Sequence, residues 1–275
     1  MDVVRLESAL WRTTSLLLVA DEEAVAIDPG VSRAEVAAIE AGARARGAVV
    51  THVLATHADW DHVCGMAAFP DAVAAMGQLT GEIVVSGAPA QVIERRAAEH
   101  AISVAGAPRV DRVLQAGVAC QIGPFTVETF SLAGHTPDGT AYRVRTLDLL
   151  AVGDHLSAVE FPFVSSTAAY RASLAGLIEL LRHDPPGRIY PGHGPPLTLT
   201  EAVAIAEADL AYLRTLHGEV ATSLEGGGTL ADARAAGLAV APPREASPDL
   251  AGLHAENVEA QLEELLPNEL ERDRV

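Results

Sequence analysis

The sequence predicts a mixed α/β fold: two sheets covered by helices, followed by a helical C-terminal extension. Three observations carry this expectation. Apolar, strand-like runs follow one another through the middle of the chain, a pattern that one parallel βαβ sheet would not produce. Helix-start signals occur at separate points, as at Ser32 with Glu35 three residues on. Beyond Leu199 nearly every segment has helical spacing. The expected division is a core over residues 1–198 and an extension over 199–275.

Thr14 to Ala20 is an apolar strand, and after the Asp21-Glu22-Glu23 turn a second runs from Ala24 to Ile27 and stops at Asp28-Pro29-Gly30. Ser32 caps a helix running to about Arg46, which Gly47 ends. Val49 to Ala55 is a buried strand that leads straight into Thr56-His57. From Glu82 the spacing predicts a strand, then a helix over Pro89–His100, then short strands over Val110–Leu114, Val118–Ile122 and Phe125–Phe130. Strands recur at Ala141–Arg145 and Leu147–Val152. Leu174, Leu177, Ile178 and Leu181 give Thr167–His183 a helical face, and a strand at Arg188–Tyr190 leads into Pro191-Gly192-His193-Gly194. Pro242 to Pro248 reads as a loop, and an amphipathic helix follows through Leu253, Val258, Leu262 and Leu265.

Charge and residue usage exclude several classes of function. The formal charge is -18, and every one of the 19 basic residues is arginine. A field of that sign repels nucleic acid phosphates. Without lysine there is no Schiff-base chemistry and no phosphate-cradling P-loop lysine. Cys64 and Cys120 cannot build a disulfide framework, and the N-terminus lacks the pattern of a signal peptide, so a cytoplasmic location is expected. No apolar run approaches the roughly 20 residues of a membrane span. The expected partner is a small-molecule substrate, with neither nucleic acid nor membrane.

The chemistry concentrates in His57-Ala58-Asp59-Trp60-Asp61-His62, four potential metal ligands within six residues directly after a strand. Imidazole and carboxylate suit zinc, iron or manganese. A turn can aim His57 and Asp59 at one point and Asp61 and His62 at another, which favours two neighbouring ions. Three later residues sit beside glycine just after a predicted strand: His135 after Gly134, Asp154 after Gly153, and His193 after Gly192.

This ordered set resembles the metallo-β-lactamase-fold hydrolases, whose pattern is His-x-His-x-Asp-His followed by Gly-His, Gly-Asp and Gly-His. The matches are His57, Asp61, His62, His135, Asp154 and His193, and the likeness spans about residues 14–198. It implies a four-layer αββα sandwich and two divalent metal ions, with zinc the first expectation. His57 and His135 would hold the first ion, Asp61, His62 and His193 the second, and Asp154 would bridge them. A metal-bridging hydroxide would be the nucleophile, and Asp61 would also orient it or relay a proton. The family's usual second histidine is Asp59 here. Three carboxylates and a hydroxide then neutralise two divalent ions, which suits a harder ion and makes iron or manganese an alternative to zinc. The diiron flavoproteins of the same fold are similar at this position.

Within the family the chain resembles the glyoxalase-II-like branch, in which helices after the core contribute substrate contacts. By that likeness His254 and Asn257, three apart on one helix face, are candidate pocket residues, with a solvated helix face as the plainer reading; Trp60, between two ligands, either walls the pocket or packs against the helix after His62. Arg143, Arg145 and Arg171 are the sequence's candidates for anchoring an anionic substrate. Plainer readings suit other residues: His52, His100, His183 and His217 as surface or packed histidines, Cys64 as a small buried residue, and Phe161-Pro162-Phe163 as cleft or core. His155, next to Asp154, is either a ligand support or packing. The function expected is hydrolysis of a small ester, thioester, lactone or phosphoester. The alternatives are a dinuclear redox protein and a member that binds metal without turnover.

Overall fold

The structure, a computed structural model, describes residues 1–245 and 252–266. In chain order the elements are β1 (Asp2–Glu7), β2 (Thr14–Ala20), β3 (Glu23–Ile27), α1 (Arg33–Arg44), β4 (Val49–Ala55), α2 (Trp60–Val63), β5 (Val73–Gly77), α3 (Gln78–Ser86), α4 (Ala88–Glu99) and β6 (Arg112–Leu114). There follow β7 (Cys120–Ile122), β8 (Phe125–Ser131), β9 (Thr140–Val144), β10 (Leu149–Ala151), α5 (Thr167–His183), β11 (Arg188–Tyr190), α6 (Leu199–Glu225), α7 (Leu230–Leu238) and α8 (Leu253–Leu265). They fall into two compact units. The first holds residues 1–131, 138–154 and 186–197, and the second holds 132–137, 155–185 and 198–275. The second unit takes in α5 and the segments around it as well as the C-terminal helices.

The first unit contains both sheets, in the orders β1-β2-β3-β4-β5-β6 and β11-β10-β9-β8-β7. The unbroken apolar run of β2 follows from its position, since its two faces serve different cores. Leu17 and Val19 pack with Ala26, Val53 and Met76 against Val36 and Ile39 of α1 and Ile93 of α4. Leu16 and Leu18 face Phe125, Val127, Tyr142 and Val144 of the second sheet. Helix, sheet and sheet are thus stacked in order. Burial of each such Leu or Val contributes about 1.5–3 kcal/mol, so the sheet interface is a main source of stability. The second unit is helical: α5, α6, α7 and α8 pack on one another.

Register carries the fold to the site. β3 and β4 are parallel with Ile27 opposite Leu54, so their carboxyl ends lie level. β10 and β11 are also parallel, with Ala151 opposite Tyr190. The residues just beyond these ends, Asp28, Thr56-His57, Asp154 and His193, therefore share one edge of the first unit.

Two expectations are corrected. The strand expected from Glu82 is helix α3, preceded by an unforeseen strand, β5. Thr80, Gly81 and Val84 face inward at helical spacing, and Gly87 ends the helix in the left-handed region at φ 80°. The β-branched run Ile83-Val84-Val85 yields to that packing. The structure also adds β1 ahead of the first expected strand; it is half-buried and paired antiparallel to β2. Of the loop expected over Pro242–Pro248, residues 242–245 lack regular structure and 246–248 lie outside the described residues.

Candidate metal centre

The loop between β4 and α2 carries His57 and Asp59, and α2 itself carries Asp61 and His62. The loop's start is pinned by Asp28, a buried residue at φ 50° just past β3. Asp28 Oδ1 accepts the Thr56 N–H at 2.8 Å, and Oδ2 accepts the Thr56 hydroxyl at 2.8 Å. Farther along, Asp138 Oδ2 accepts the Ala58 N–H at 2.8 Å. Asp59 is the residue before α2, half-exposed, with Oδ2 3.6 Å from His57 Nε2.

Each histidine is held through Nδ1. That nitrogen lies 3.0 Å from Thr56 Oγ1 in His57, 2.9 Å from Asp28 Oδ2 in His62 and 2.8 Å from the Trp11 carbonyl in His193. A carbonyl or carboxylate only accepts, so His62 and His193 carry the proton on Nδ1 and turn the Nε2 lone pair away from it. His135 lies in the second unit and follows the same rule, its Nδ1 donating to the Phe163 carbonyl at 2.9 Å.

The Nε2 atoms of the first unit meet carboxylates. His62 Nε2 is 3.2 Å from Asp154 Oδ1 and 3.5 Å from Asp61 Oδ2. His193 Nε2 is 3.2 Å from Asp154 Oδ2 and 3.7 Å from Asp61 Oδ2, and His57 Nε2 is 3.7 Å from Asp154 Oδ2. Asp61 is itself fixed by the Thr13 hydroxyl, which donates to Oδ2 at 2.8 Å. Ligand atoms of His57, His62 and Asp154 lie within 4.8 Å of one another, as do those of Asp61, His62 and His193. The closeness depends on glycine. A Cβ on Gly192 would overlap Asp154 Oδ1 and stand 3.0 Å from His62 Cε1, and Gly153 has φ +52° with Thr56 against it.

These residues fit divalent ions. His62 Nε2 is fully buried and makes no hydrogen bond, yet two carboxylates face it. An uncompensated buried nitrogen is costly, and a cation answers it and the carboxylates together. Burial by itself lowers the proton affinity of His62, but Asp154, Asp61 and Asp28 more than offset this and raise it well above the ordinary histidine value. Nitrogen and carboxylate oxygen without sulfur suit zinc, iron or manganese. Cys64 is excluded: its thiol donates to the Val31 carbonyl, and burial, helped by Asp61, pushes its pKa up to about 12.

Several candidate residues are placed elsewhere. Trp60 is 5% exposed and packs in the core, edge-on to Trp11 at 5.3 Å and stacked on His100 at 5.8 Å. Asn257 is fully buried, with every polar function engaged by Val164, Pro162 and Tyr212, and has none left for a substrate. His254 meets the Tyr212 hydroxyl through Nδ1 at 2.8 Å. Arg143 is buried and bonded to the Leu149 carbonyl and to Asp148, while Arg145 pairs with Glu128. Arg171 bonds the Thr167 carbonyl of its own helix. His155 is buried and stacks on Tyr170 at 4.2 Å. His183 is exposed beside Glu179, and His52 lies against Thr51. Sequence reasoning missed Asp28, Thr13, Asp138 and the Trp11 carbonyl. The strand-end position that marks His57 marks Asp28 equally, one residue past β3.

The first unit thus joins two stacked sheets to groups of possible metal ligands at one edge. The metallo-beta-lactamase superfamily model matches residues 9–193, and the chain belongs to that superfamily. Solved structures agree at the level of fold. A metallo-beta-lactamase family protein from Thermus thermophilus, TTHA1429, shares 18% identity at a TM-score of 0.67, covering 97% of this chain and 93% of that one. TTHA1623, solved in a di-iron-bound form, shares 24% identity at a TM-score of 0.57 over 74% of this chain and 98% of its own. The BLEG-1 B3 metallo-beta-lactamase shares 21% at 0.56, over 74% and 97%. No curated protein matches the sequence. Among the described residues no helix is long and apolar enough to cross a membrane.

Proposed function

We propose that the chain is a metal-dependent hydrolase of a small ester, thioester, lactone or phosphoester. One observation carries the reading: three buried histidines of the first unit, each held through Nδ1, turn Nε2 toward the carboxylates of Asp61 and Asp154. On this reading His57 and Asp59 belong to one ion, Asp61, His62 and His193 to the other, and Asp154 to both. His135, in the second unit, keeps a ligand's role by its place in the family's order. Two bound divalent ions would supply an acidified water and an electrophile for a carbonyl or phosphoryl oxygen.

The chain's own residues do the rest. Thr13 fixes the Asp61 carboxylate, which then orients the attacking water and receives its proton at an oxygen. Asp28 keeps the proton of His62 on Nδ1, and the Trp11 carbonyl does the same for His193, so both Nε2 atoms remain donors of electron pairs. Of these classes the ester, thioester and lactone, uncharged at the scissile bond, are favoured over the anionic phosphoester. The cluster is rich in carboxylates, and Arg143 and Arg145 are engaged by Asp148 and Glu128 rather than offered to an anion. An ester or thioester of glyoxalase-II type fits only where its anionic part is held elsewhere.

The test is a panel of chromogenic esters, thioesters, lactones and phosphodiesters, with zinc, manganese or iron added. The expected result is turnover that a chelator removes and that His193→Ala and Asp61→Ala abolish. Turnover that survives chelation and both substitutions would rule the metal mechanism out.

A redox role is the second reading, favoured by Asp59 beside His57 and by the di-iron form of one structural neighbour. It predicts iron or manganese in protein purified without added metal. Two equivalents of zinc with neither of those metals would exclude it.

A further inference from the structure

The second unit contains a buried asparagine whose hydrogen bonds bracket a single residue, and that residue holds His135. On α8, Asn257 Oδ1 accepts the N–H of Val164 at 3.0 Å, and Asn257 Nδ2 donates to the carbonyl of Pro162 at 2.6 Å. Phe163 lies between them, exposed, while Pro162, Val164 and Asn257 are buried. Its carbonyl accepts His135 Nδ1–H at 2.9 Å. With both flanking peptides tied to one side chain, the direction of the Phe163 carbonyl is set from outside its own loop.

The amide is held from behind as well. Asn257 Nδ2 also donates to the Tyr212 hydroxyl of α6 at 3.2 Å, and that hydroxyl meets His254 Nδ1 at 2.8 Å. Burial, opposed by the Asn257 bond, raises Tyr212 to about 12, so the phenol keeps its proton. The main chain of His135 is fixed separately. Ser165 N–H donates to the Gly134 carbonyl at 2.8 Å and to that of His135 at 3.2 Å. What remains adjustable at His135 is its ring, and the Phe163 carbonyl, an acceptor alone, selects Nδ1 as the nitrogen that carries the proton.

We infer that Asn257 is a positioning residue for His135: through the Pro162–Val164 main chain it keeps the imidazole in the Nδ1–H tautomer, with Nε2 available to a metal ion. The inference rests on the metal reading for its purpose, but its geometry stands without it. Outer partners of ligand histidines typically account for 10–100-fold in metal affinity, and a residue one step farther out belongs at the lower end.

The experiment uses the full chain. Imidazole nitrogen–proton correlation spectra of the metal-free protein report the His135 tautomer directly, and zinc and manganese titrations report affinity. The wild type is expected to show His135 protonated at Nδ1. Asn257→Ala is expected to give a tautomer mixture and about tenfold weaker binding of one ion. Asn257→Asp keeps the acceptor for Val164 but loses the donor to Pro162, and should fall between them; it decides the matter if the alanine variant does not fold. Glu264→Gln also loosens α8 from the residues after Phe163 and is expected to lower stability without moving the His135 signals. A wild type with the proton on Nε2, or Asn257 variants with an unchanged tautomer and affinity, would overturn the inference. A wild type with the expected tautomer that binds neither metal leaves the positioning role standing and removes the metal reading instead.

Discussion

The two units bury acidic groups in opposite ways. In the second, Asp209 on α6 is buried and receives both arms of Arg244, at 2.7 and 3.0 Å. In the first, Asp61 and Asp154 face His57, His62 and His193. A guanidinium neutralises a carboxylate and takes a lone pair on each of its oxygens, and it has no lone pair of its own to offer a cation. An imidazole held at Nδ1 keeps a lone pair on Nε2, so the same carboxylates remain part of a donor set. The choice of partner separates a buried charge that fastens the fold from one held ready for a cation.

The largest effect should come from breaking the fastening. Asp209→Ala leaves Arg244 without its buried partner, and a broken pair of this kind costs about 3 kcal/mol. Urea unfolding of the metal-free protein should show that loss while zinc affinity stays unchanged. A loss of affinity equal to the loss of stability would erase the distinction between the two clusters.

A somewhat smaller effect is expected from Gly192→Ala in the other cluster. The added Cβ would overlap Asp154 Oδ1 and press on the Gly153 carbonyl carbon at 2.9 Å and on His62 at 3.0 Å. Overpacking at such a point costs about 2 kcal/mol. Here it should appear mainly as weakened metal binding, because the atoms displaced are donors. Isothermal titration with zinc would show at least a tenfold loss, and an unchanged affinity would mean that the donors are not packed as closely as the fold requires.

How far the sequence revealed this arrangement follows from the same contrast. The donors of the first unit were legible because imidazole and carboxylate at this density after a strand have few other uses. Their supports were not. Thr13, the Trp11 carbonyl and Asp28 are common groups brought in from distant segments, and only the pairing of β3 with β4 and the bridge of Thr13 to His193 place them. The helical spacing of His254 and Asn257 was legible, and both do meet the Tyr212 hydroxyl. The burial of Asn257 was not, since it depends on which loop α8 covers. Of the fold, the strands of the second sheet could be read closely from alternation and turns. The exchange of strand for helix at Gln78–Ser86 could not, because β-branched residues favour strands only until packing decides otherwise.

The smallest effect sharpens the comparison from the second unit. Glu264 of α8 caps the start of α5, accepting the Ser166 and Thr167 hydroxyls at 2.6 Å each and the Ala168 N–H at 3.1 Å. Burial pushes its carboxyl up, but these donors outweigh it and hold the group below the ordinary value of 4.5. A carboxyl more acidic in the folded chain than in the unfolded one adds stability above the unfolded value, and that stability is lost as pH falls through the folded one. The contact is partly solvated, so after screening it contributes about 1 kcal/mol. Glu264→Gln should therefore lower stability at pH 7 by about that amount and flatten the acid side of the profile below pH 4.5. Unfolding curves from pH 3 to 7 would show the difference between variant and wild type shrinking toward the acid end. A constant difference across that range would mean that the carboxylate's charge has no part in the cap, and that the second unit is fastened at α8 by neutral hydrogen bonds.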